Sequence, residues 1–311
     1  MTRITPSHRT LPAILLIGTL LMACTATGSG SQSASPSTAA SQAASAEPSA
    51  EACVTEDLPT KTAGVLTVGT DNPAFPPYFS DSTQTDPWEF GDPTNGEGFE
   101  SAIAYALAEQ LGFSADQVEW IPVPFNNSIA PGEKDFDVYL AQVSFTEERT
   151  QAVDLSEGYF FSNQALVTNA GSELASATTV AEVAAAQLGA AGNTTSLTYI
   201  EEKIQPAQEP RVYDDNTAAK AALEAGQVEG VVFDLATAFY IVNVEMEDGV
   251  VVGQLPSDPE DKEHFSFVLD LDSPLTDCVN EAILAMGENG ELDTIAAEWH
   301  ADYVEAPFIA E

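Results

Sequence analysis

Short β-rich runs alternate with amphipathic helical stretches along most of this chain, and that alternation restricts the fold more than any other feature. Residues 65–68 form a β-rich run ahead of a proline-rich loop at 71–79. After the turn Asn95-Gly96-Glu97-Gly98, apolar Phe99, Ile103, Leu107 and Leu111 recur every four residues, one face of a helix ending near Gly112. Strands are predicted at 118–123 and 136–143. Past Tyr159 the pattern restarts, with strands at 165–167, 188–190, 211–213 and 230–233. Helices are predicted over 180–187, from Thr195, over 217–225 and over 235–244. Such alternation predicts an α/β fold of βαβ units, with mostly parallel sheets and helices on both faces. The end departs from it. Helices at 275–286 and 292–303 flank Gly287-Glu288-Asn289-Gly290, and Leu292, Ile295, Trp299 and Tyr303 form the predicted buried stripe of the second.

Hydrophobic residues make up 44% of the 311, enough for a genuine core and too many for a disordered chain. The charge is lopsided: 49 Asp and Glu stand against 9 Lys and Arg, a net −40. That surface repels nucleic-acid backbones and anionic lipid headgroups, and it favours a soluble monomer. A solvated acidic surface, suited to a saline habitat, is one reading of it; attraction for cationic ligands is another. His8, His264 and His300 are far apart, and with the cysteine spacing they offer no zinc signature. Neither a metal nor a cofactor is expected.

The first residues give an address. Arg3 and Arg9 precede an apolar run at 11–22 that ends in Leu21-Met22-Ala23-Cys24. A basic start and a run too short to span a bilayer read as a secretory signal over residues 1–23. Leu21 to Cys24 resembles a bacterial lipobox, in which Cys24 is acylated and becomes the new N-terminus; the alternative is an ordinary signal with Cys24 incidental. Residues 25–50 are almost entirely Ser, Ala, Thr, Gly, Gln and Pro, so 24–55 reads as a flexible tether. Its 26 residues over 25–50 give a span of about 25–30 Å. The expected location is extracytoplasmic, lipid-anchored to the cell membrane.

Two cysteines remain, Cys53 and Cys278. In an exported chain an even pair reads as one disulfide, the alternative being two buried thiols. A bridge would attach the last helices to the first lobe. The expected division is then 56–160 plus 256–311 as lobe 1 and 161–255 as lobe 2, with two hinge crossovers near 160–165 and 250–256. Ligands bind such sheets beyond the strands' carboxyl ends.

With Arg3 and Arg9 removed, seven of the nine basic residues stay in the mature chain. Arg149 is one, in Ser144-Phe145-Thr146-Glu147-Glu148-Arg149 directly after a predicted strand. Thr146 can cap the next helix, with two acids in the first turn. A guanidinium there can grip a carboxylate with two parallel bonds, or pair with Glu147 or Glu148. Gly192-Asn193-Thr194-Thr195-Ser196, between strand and helix, reads either as an anion site or as an ordinary cap. Asp234 ends the run Val231-Val232-Phe233, placed to accept from an ammonium group or to cap the helix at Leu235.

These segments, in order, resemble one family. Gly64-Val65-Leu66-Thr67-Val68-Gly69-Thr70-Asp71, Gly98-Phe99-Glu100, the stretch from Val143 to Arg149 and Val153-Asp154-Leu155-Ser156 look like the polar-amino-acid-binding proteins of ABC importers. The match extends over residues 60–305. It implies a two-lobed, type II periplasmic-binding-protein fold that holds a free L-α-amino acid between its lobes and delivers it to a permease. By that resemblance Arg149 clamps the α-carboxylate, helped by the backbone and hydroxyl of Ser144 and by Thr195 beside Asn193 and Thr194. Asp234 receives the α-ammonium, Phe75 covers the side chain, and Asp71 and Gln142 contact it. Asn193 stands where the family usually has Gly, Gln142 where a smaller residue is commoner, and the loop at 80–95 is long and carries Trp88. Trp88 and Phe125 are further candidates for stacking on the ligand.

Two other readings compete. Some proteins of this fold are cyclohexadienyl-type dehydratases, but that chemistry needs a positioned general acid, and no residue stands out as one. A sensor or lytic module would need a further segment, whereas this chain ends eight residues after the last predicted helix.

Overall fold

The computed structural model describes residues 53, 58–80, 86–257, 263–300 and 306–311. The expectations placed on the signal at 1–23, on Cys24, on most of the tether and on Tyr303 lie outside the described residues. Among the described residues ten strands form two five-stranded sheets. The first holds β1 (Leu66–Thr70), β2 (Val118–Pro122), β3 (Val138–Tyr139), β4 (Asp154–Phe161) and β10 (His264–Leu269), in the order β2-β1-β3-β10-β4. The second holds β5 (Gln164–Asn169), β6 (Leu188–Ala191), β7 (Arg211–Tyr213), β8 (Gly230–Asp234) and β9 (Gly249–Gln254), in the order β7-β6-β8-β5-β9.

Helices surround these sheets: α1 (Phe99–Gln110), α2 (Phe125–Ser128), α3 (Val180–Val183), α4 (Thr195–Tyr199), α5 (Asn216–Glu224), α6 (Leu235–Tyr240), α7 (Thr276–Glu288) and α8 (Glu291–Trp299). The four-residue stripe of α1 is sunk in the first core, with Phe99, Ile103 and Leu107 at 0% exposure. Gly98 opens the helix at φ 98°, where a Cβ would lie 2.4 Å from the Phe79 backbone. Only glycine fits there.

The sheets are mixed rather than mostly parallel. β1 runs parallel to β2 and β3, and β6 parallel to β7 and β8. The fourth strand of each sheet is antiparallel to both its neighbours: β10 in the first, β5 in the second. Both are strands that begin directly after a crossover, β5 after β4 and β10 after β9. Arriving from the other half, each enters its sheet from the opposite end. The two crossovers lie side by side, tied by Ser162 N–H to Glu263 O (3.1 Å), Leu255 N–H to Gln164 O (2.8 Å) and Asn163 Nδ2 to Gln254 Oε1 (2.7 Å).

Several expected boundaries shift. The predicted strand at 136–143 is paired only at Val138–Tyr139, and the predicted helix at 180–187 stops at Val183. α4 and α6 each continue into a wider π turn, at Ile200–Ile204 and Ile241–Glu245. Leu292, Ile295 and Trp299 of α8 are partly buried against the first core rather than enclosed by it.

The disulfide is formed. Cys53 joins Cys278 on α7 with S–S 2.04 Å, across 225 residues of chain. Closing so long a loop stabilises the fold by up to about 5 kcal/mol through the unfolded chain. It keeps α7 and α8 on the first half. Residues 306–311 do not stay there, as had been expected of the whole stretch 256–311. Ile309 is buried in the second half's core, Ile309 N–H donates to Gln254 O (2.9 Å) and Val180 N–H to Ala310 O (2.8 Å). His300, by contrast, packs on Phe99 and Phe160 of the first half.

Candidate functional site

The carboxyl ends of the parallel strands converge on a cleft of about 370 Å³ between the two halves. Asp71 follows β1, Gln142 and Ser144 follow β3, Gly192 to Thr195 follow β6, Asp214 and Asp215 follow β7, and Asp234 ends β8. A cavity this size is in the range that takes a small molecule.

Arg149 sits at the seam. Its Nη1 donates to Ser144 O of the first half (2.5 Å) and its Nη2 to Asn193 O of the second (2.8 Å). Two carbonyls hold the plane of the guanidinium, and its remaining N–H groups can serve the cleft that it lines. Its Cζ lies 5.6 Å from the centre of the Phe125 ring. Burial lowers the Arg149 pKa, and Glu263, Asp234 and Glu148 oppose that shift. Among the described ion pairs there is none between Arg149 and Glu147 or Glu148. Thr146 does not cap a helix as read from sequence: the next helix is a single 3-10 turn at Arg149–Gln151, with Glu148 at its N-cap position, no side-chain cap bond and no acid in its first turn. Thr146 Oγ1 still accepts from Arg149 N–H (3.1 Å).

Asn193 owes its place to its backbone. Its φ is +60°, a left-handed conformation in which glycine is unstrained and asparagine is the best-tolerated substitute. The same residue points its carbonyl at Arg149 and its Nδ2 at Asn126 Oδ1 of the first half (2.9 Å). Gln142 is also left-handed, at φ +51°. It is pinned by Glu100, a fully buried carboxyl that accepts from Gln142 N–H (2.7 Å) and Tyr159 Oη–H (2.6 Å). Burial raises Glu100 to about 7 despite those bonds.

Four carboxylates, Asp71, Asp214, Asp215 and Asp234, stand in the described lining. Burial pushes Asp234 well above the usual carboxylate range; Glu263 adds to the shift, while Gln164 and Arg149 oppose it. Burial likewise raises Asp71, with a smaller contribution from Asp215 across the cleft. Asp234 begins α6 without a side-chain cap bond, so the capping alternative does not account for it. Asp215 does cap a helix, accepting from Ala218 N–H of α5 (2.7 Å).

Phe75, Phe125, Gln142, Ser144, Thr194 and Thr195 line the cleft. Thr194 also caps α4 through Leu197 N–H (3.2 Å). Trp88 does not reach the cleft. It is buried at 4% exposure in the core of the first half, where an indole gains more from apolar contact than beside charged groups. Asn193 acts on the cleft through Arg149 rather than as part of its wall. Asp214, Asp215, Glu100, Gln164 and Glu263 were not anticipated. Glu263 is the most consequential. Its Oε1 accepts from the hydroxyls of Ser144 (2.6 Å) and Thr195, and its Oε2 from Gln164 Nε2 (2.8 Å), which also reaches Asp234 Oδ1 (3.2 Å).

Residues 66–302 match the model of the bacterial extracellular solute-binding proteins, family 3. The chain belongs to that family. Members of family 3 are extracytoplasmic. This family 3 protein is 25% identical over 240 residues to the L-cystine-binding protein TcyJ of Escherichia coli (strain K12), across 77% of this chain and 84% of that one. It is 24% identical over 253 residues to the arginine-binding extracellular protein ArtP of Bacillus subtilis (strain 168), across 80% and 94%. Among solved structures it resembles an ancestral arginine-binding protein bound to arginine, at 28% identity and TM-score 0.61, covering 76% of this chain and 98% of that one. The fold is that of the type II binding proteins.

The raised pKa of Asp234 makes its charge a burden on the folded protein. A carboxyl whose folded pKa exceeds its unfolded value binds its proton more tightly when folded, so stability falls as pH rises through the interval between them. Asp234→Asn keeps an acceptor for Gln164 and removes the charge. Its melting temperature should exceed the parent's by roughly 2–4 °C at pH 7.5 and converge with it near pH 4. A lower melting temperature at both pH values would contradict this assignment.

Proposed function

We propose that this family 3 protein captures a free L-α-amino acid in the cleft and presents it, enclosed, to an ABC importer permease. A zwitterion needs one cation and one anion at fixed separation. Arg149 supports the first role: held by a carbonyl from each half, it has N–H groups left for the α-carboxylate. Asp234, raised by burial and awaiting a cation, supports the second. Because Arg149 belongs to the first half and Asp234 to the second, filling the cleft draws the halves together.

The side chain we assign is cationic. Among the described residues four carboxylates line the cleft, Asp71, Asp214, Asp215 and Asp234, against one guanidinium. After Asp234 takes the ammonium, three remain beside the rings of Phe75 and Phe125, a setting for a guanidinium or ammonium side chain. The arginine-binding relative and the ancestral structure agree with that choice. The chain acts as a binder rather than a catalyst: the named relatives are binding proteins. The lipobox at Leu21 to Cys24 and the tether behind it support a monomer leashed to the outer face of the membrane.

A thermal-shift screen of the twenty L-amino acids tests the ligand. Arginine or lysine should give the largest rise, since ligand at 100 times Kd adds about 2.7 kcal/mol. Arg149→Ala and Asp234→Ala should each weaken binding by roughly 30-fold or more in calorimetric titration. A preference for glutamate or aspartate overturns the cationic assignment, and full affinity in both variants overturns the zwitterion clamp. For the anchor, Cys24→Ser should move the full-length protein from the membrane fraction to the medium; an unchanged distribution contradicts lipidation.

A further inference from the structure

Glu263 stands on the second crossover, one residue before β10, and its carboxylate reaches both halves. Oε1 takes the hydroxyl protons of Ser144, from the first half, and Thr195, from the second; Oε2 takes one N–H of Gln164. Gln164 is itself fixed by Ser196 Oγ–H donating to its Oε1 (2.6 Å), so its amide can present only N–H groups to the carboxylates. A hydroxyl owns one proton. With those protons committed to Glu263, Ser144 and Thr195 can only accept from anything else they meet, and both line the cleft. Gln164 Nε2, at 3.4 Å from Thr195 Oγ1, is oriented as a donor to that same oxygen.

We propose that Glu263 is a positioning residue for the ligand's ammonium group: by taking both hydroxyl protons it turns Ser144 and Thr195 into acceptors, completing with Asp234 a three-oxygen seat. This inference rests on the amino-acid reading and revises one part of it. The family resemblance gives these hydroxyls to the ligand carboxylate, but an oxygen that can only accept has nothing to offer a carboxylate. The carboxylate is left to Arg149 and the backbone N–H groups, and an ammonium with its three N–H groups matches the three oxygens. The same bonds bridge the halves through the crossover, so the seat is assembled only when the cleft is shut.

Glu263→Gln inverts the arrangement. A glutamine amide cannot turn its NH2 toward Gln164, which is a donor, so it must turn it toward the hydroxyls and drive their protons into the cleft. Titration of wild type and variant with L-arginine and with 5-guanidinopentanoate, which lacks only the α-ammonium, separates the outcomes. Glu263→Gln should lose about tenfold or more in affinity for L-arginine, the worth of a charge-assisted hydrogen bond. Its affinity for 5-guanidinopentanoate should not fall. Thr195→Val removes one acceptor with no change of charge, and should show the same selective loss; it also carries the test if Glu263→Gln fails to fold. Equal losses for both compounds in Thr195→Val, or full affinity for L-arginine in either folded variant, overturn the proposal. A wild type that binds none of the twenty amino acids overturns the functional reading itself, and this inference falls with it.

Discussion

One guanidinium, Arg149, is bound to a carbonyl on each side of the cleft, and the arrangement of the site depends on that double attachment. Ser144 O comes from the segment after β3 and Asn193 O from the turn after β6, so Arg149 is fixed only when the halves are in register. Each carbonyl needs its own local device. The Asn193 carbonyl points correctly because φ at that residue is positive, and the Ser144 segment is held from behind by β10, with Ser266 N–H donating to Val143 O (2.8 Å). The placement of antiparallel β10 and β5 directly after the crossovers therefore does more than complete two sheets. It links the hinge to the walls of the cleft.

Against that cation the described lining of the cleft sets four carboxylates, and burying Asp71 and Asp234 has a cost in stability. Asp234 and Asp71 are both raised by burial, a perturbation that clusters at functional sites. Glu263 intensifies the strain on Asp234 while organising the hydroxyls around it. Elsewhere the fold compensates with a long-range disulfide and closely packed cores beneath both sheets. On the proposed amino-acid reading, the four described carboxylates disfavour an acidic side chain by repulsion.

Much of this was legible in the sequence because the site lies at the ends of strongly patterned elements. The four-residue stripe from Phe99 to Leu111 and the apolar run ending at Asp234 needed no tertiary information. Three strands in the antiparallel pairings, β4, β9 and β10, were missed for different reasons, whereas β5 was legible at 165–167. β4 carries Ser156, Glu157 and Gly158 in its middle, which weakens any alternation; β9 and β10 are apolar runs of six residues whose length alone does not separate strand from helix. Residues 306–311 have no periodicity, and their place is set by backbone bonds to Gln254 and Val180. A lone Trp88 in a loop carries no signal of which side of the wall it faces. Glu263 sits in Asp258-Pro259-Glu260-Asp261-Lys262-Glu263, which reads as a solvated charged loop. Only the hinge brings it to Ser144 and Thr195.

A crystal structure of the protein grown with L-arginine tests the central claim most directly. The expected result is an α-carboxylate bonded to Arg149 at 2.7–2.9 Å, the usual separation for charge-assisted bonds, with the ammonium against Asp234 and the side chain toward Asp71 and Asp215. An amino acid bound in the reverse sense, or held without either Arg149 or Asp234, would contradict it.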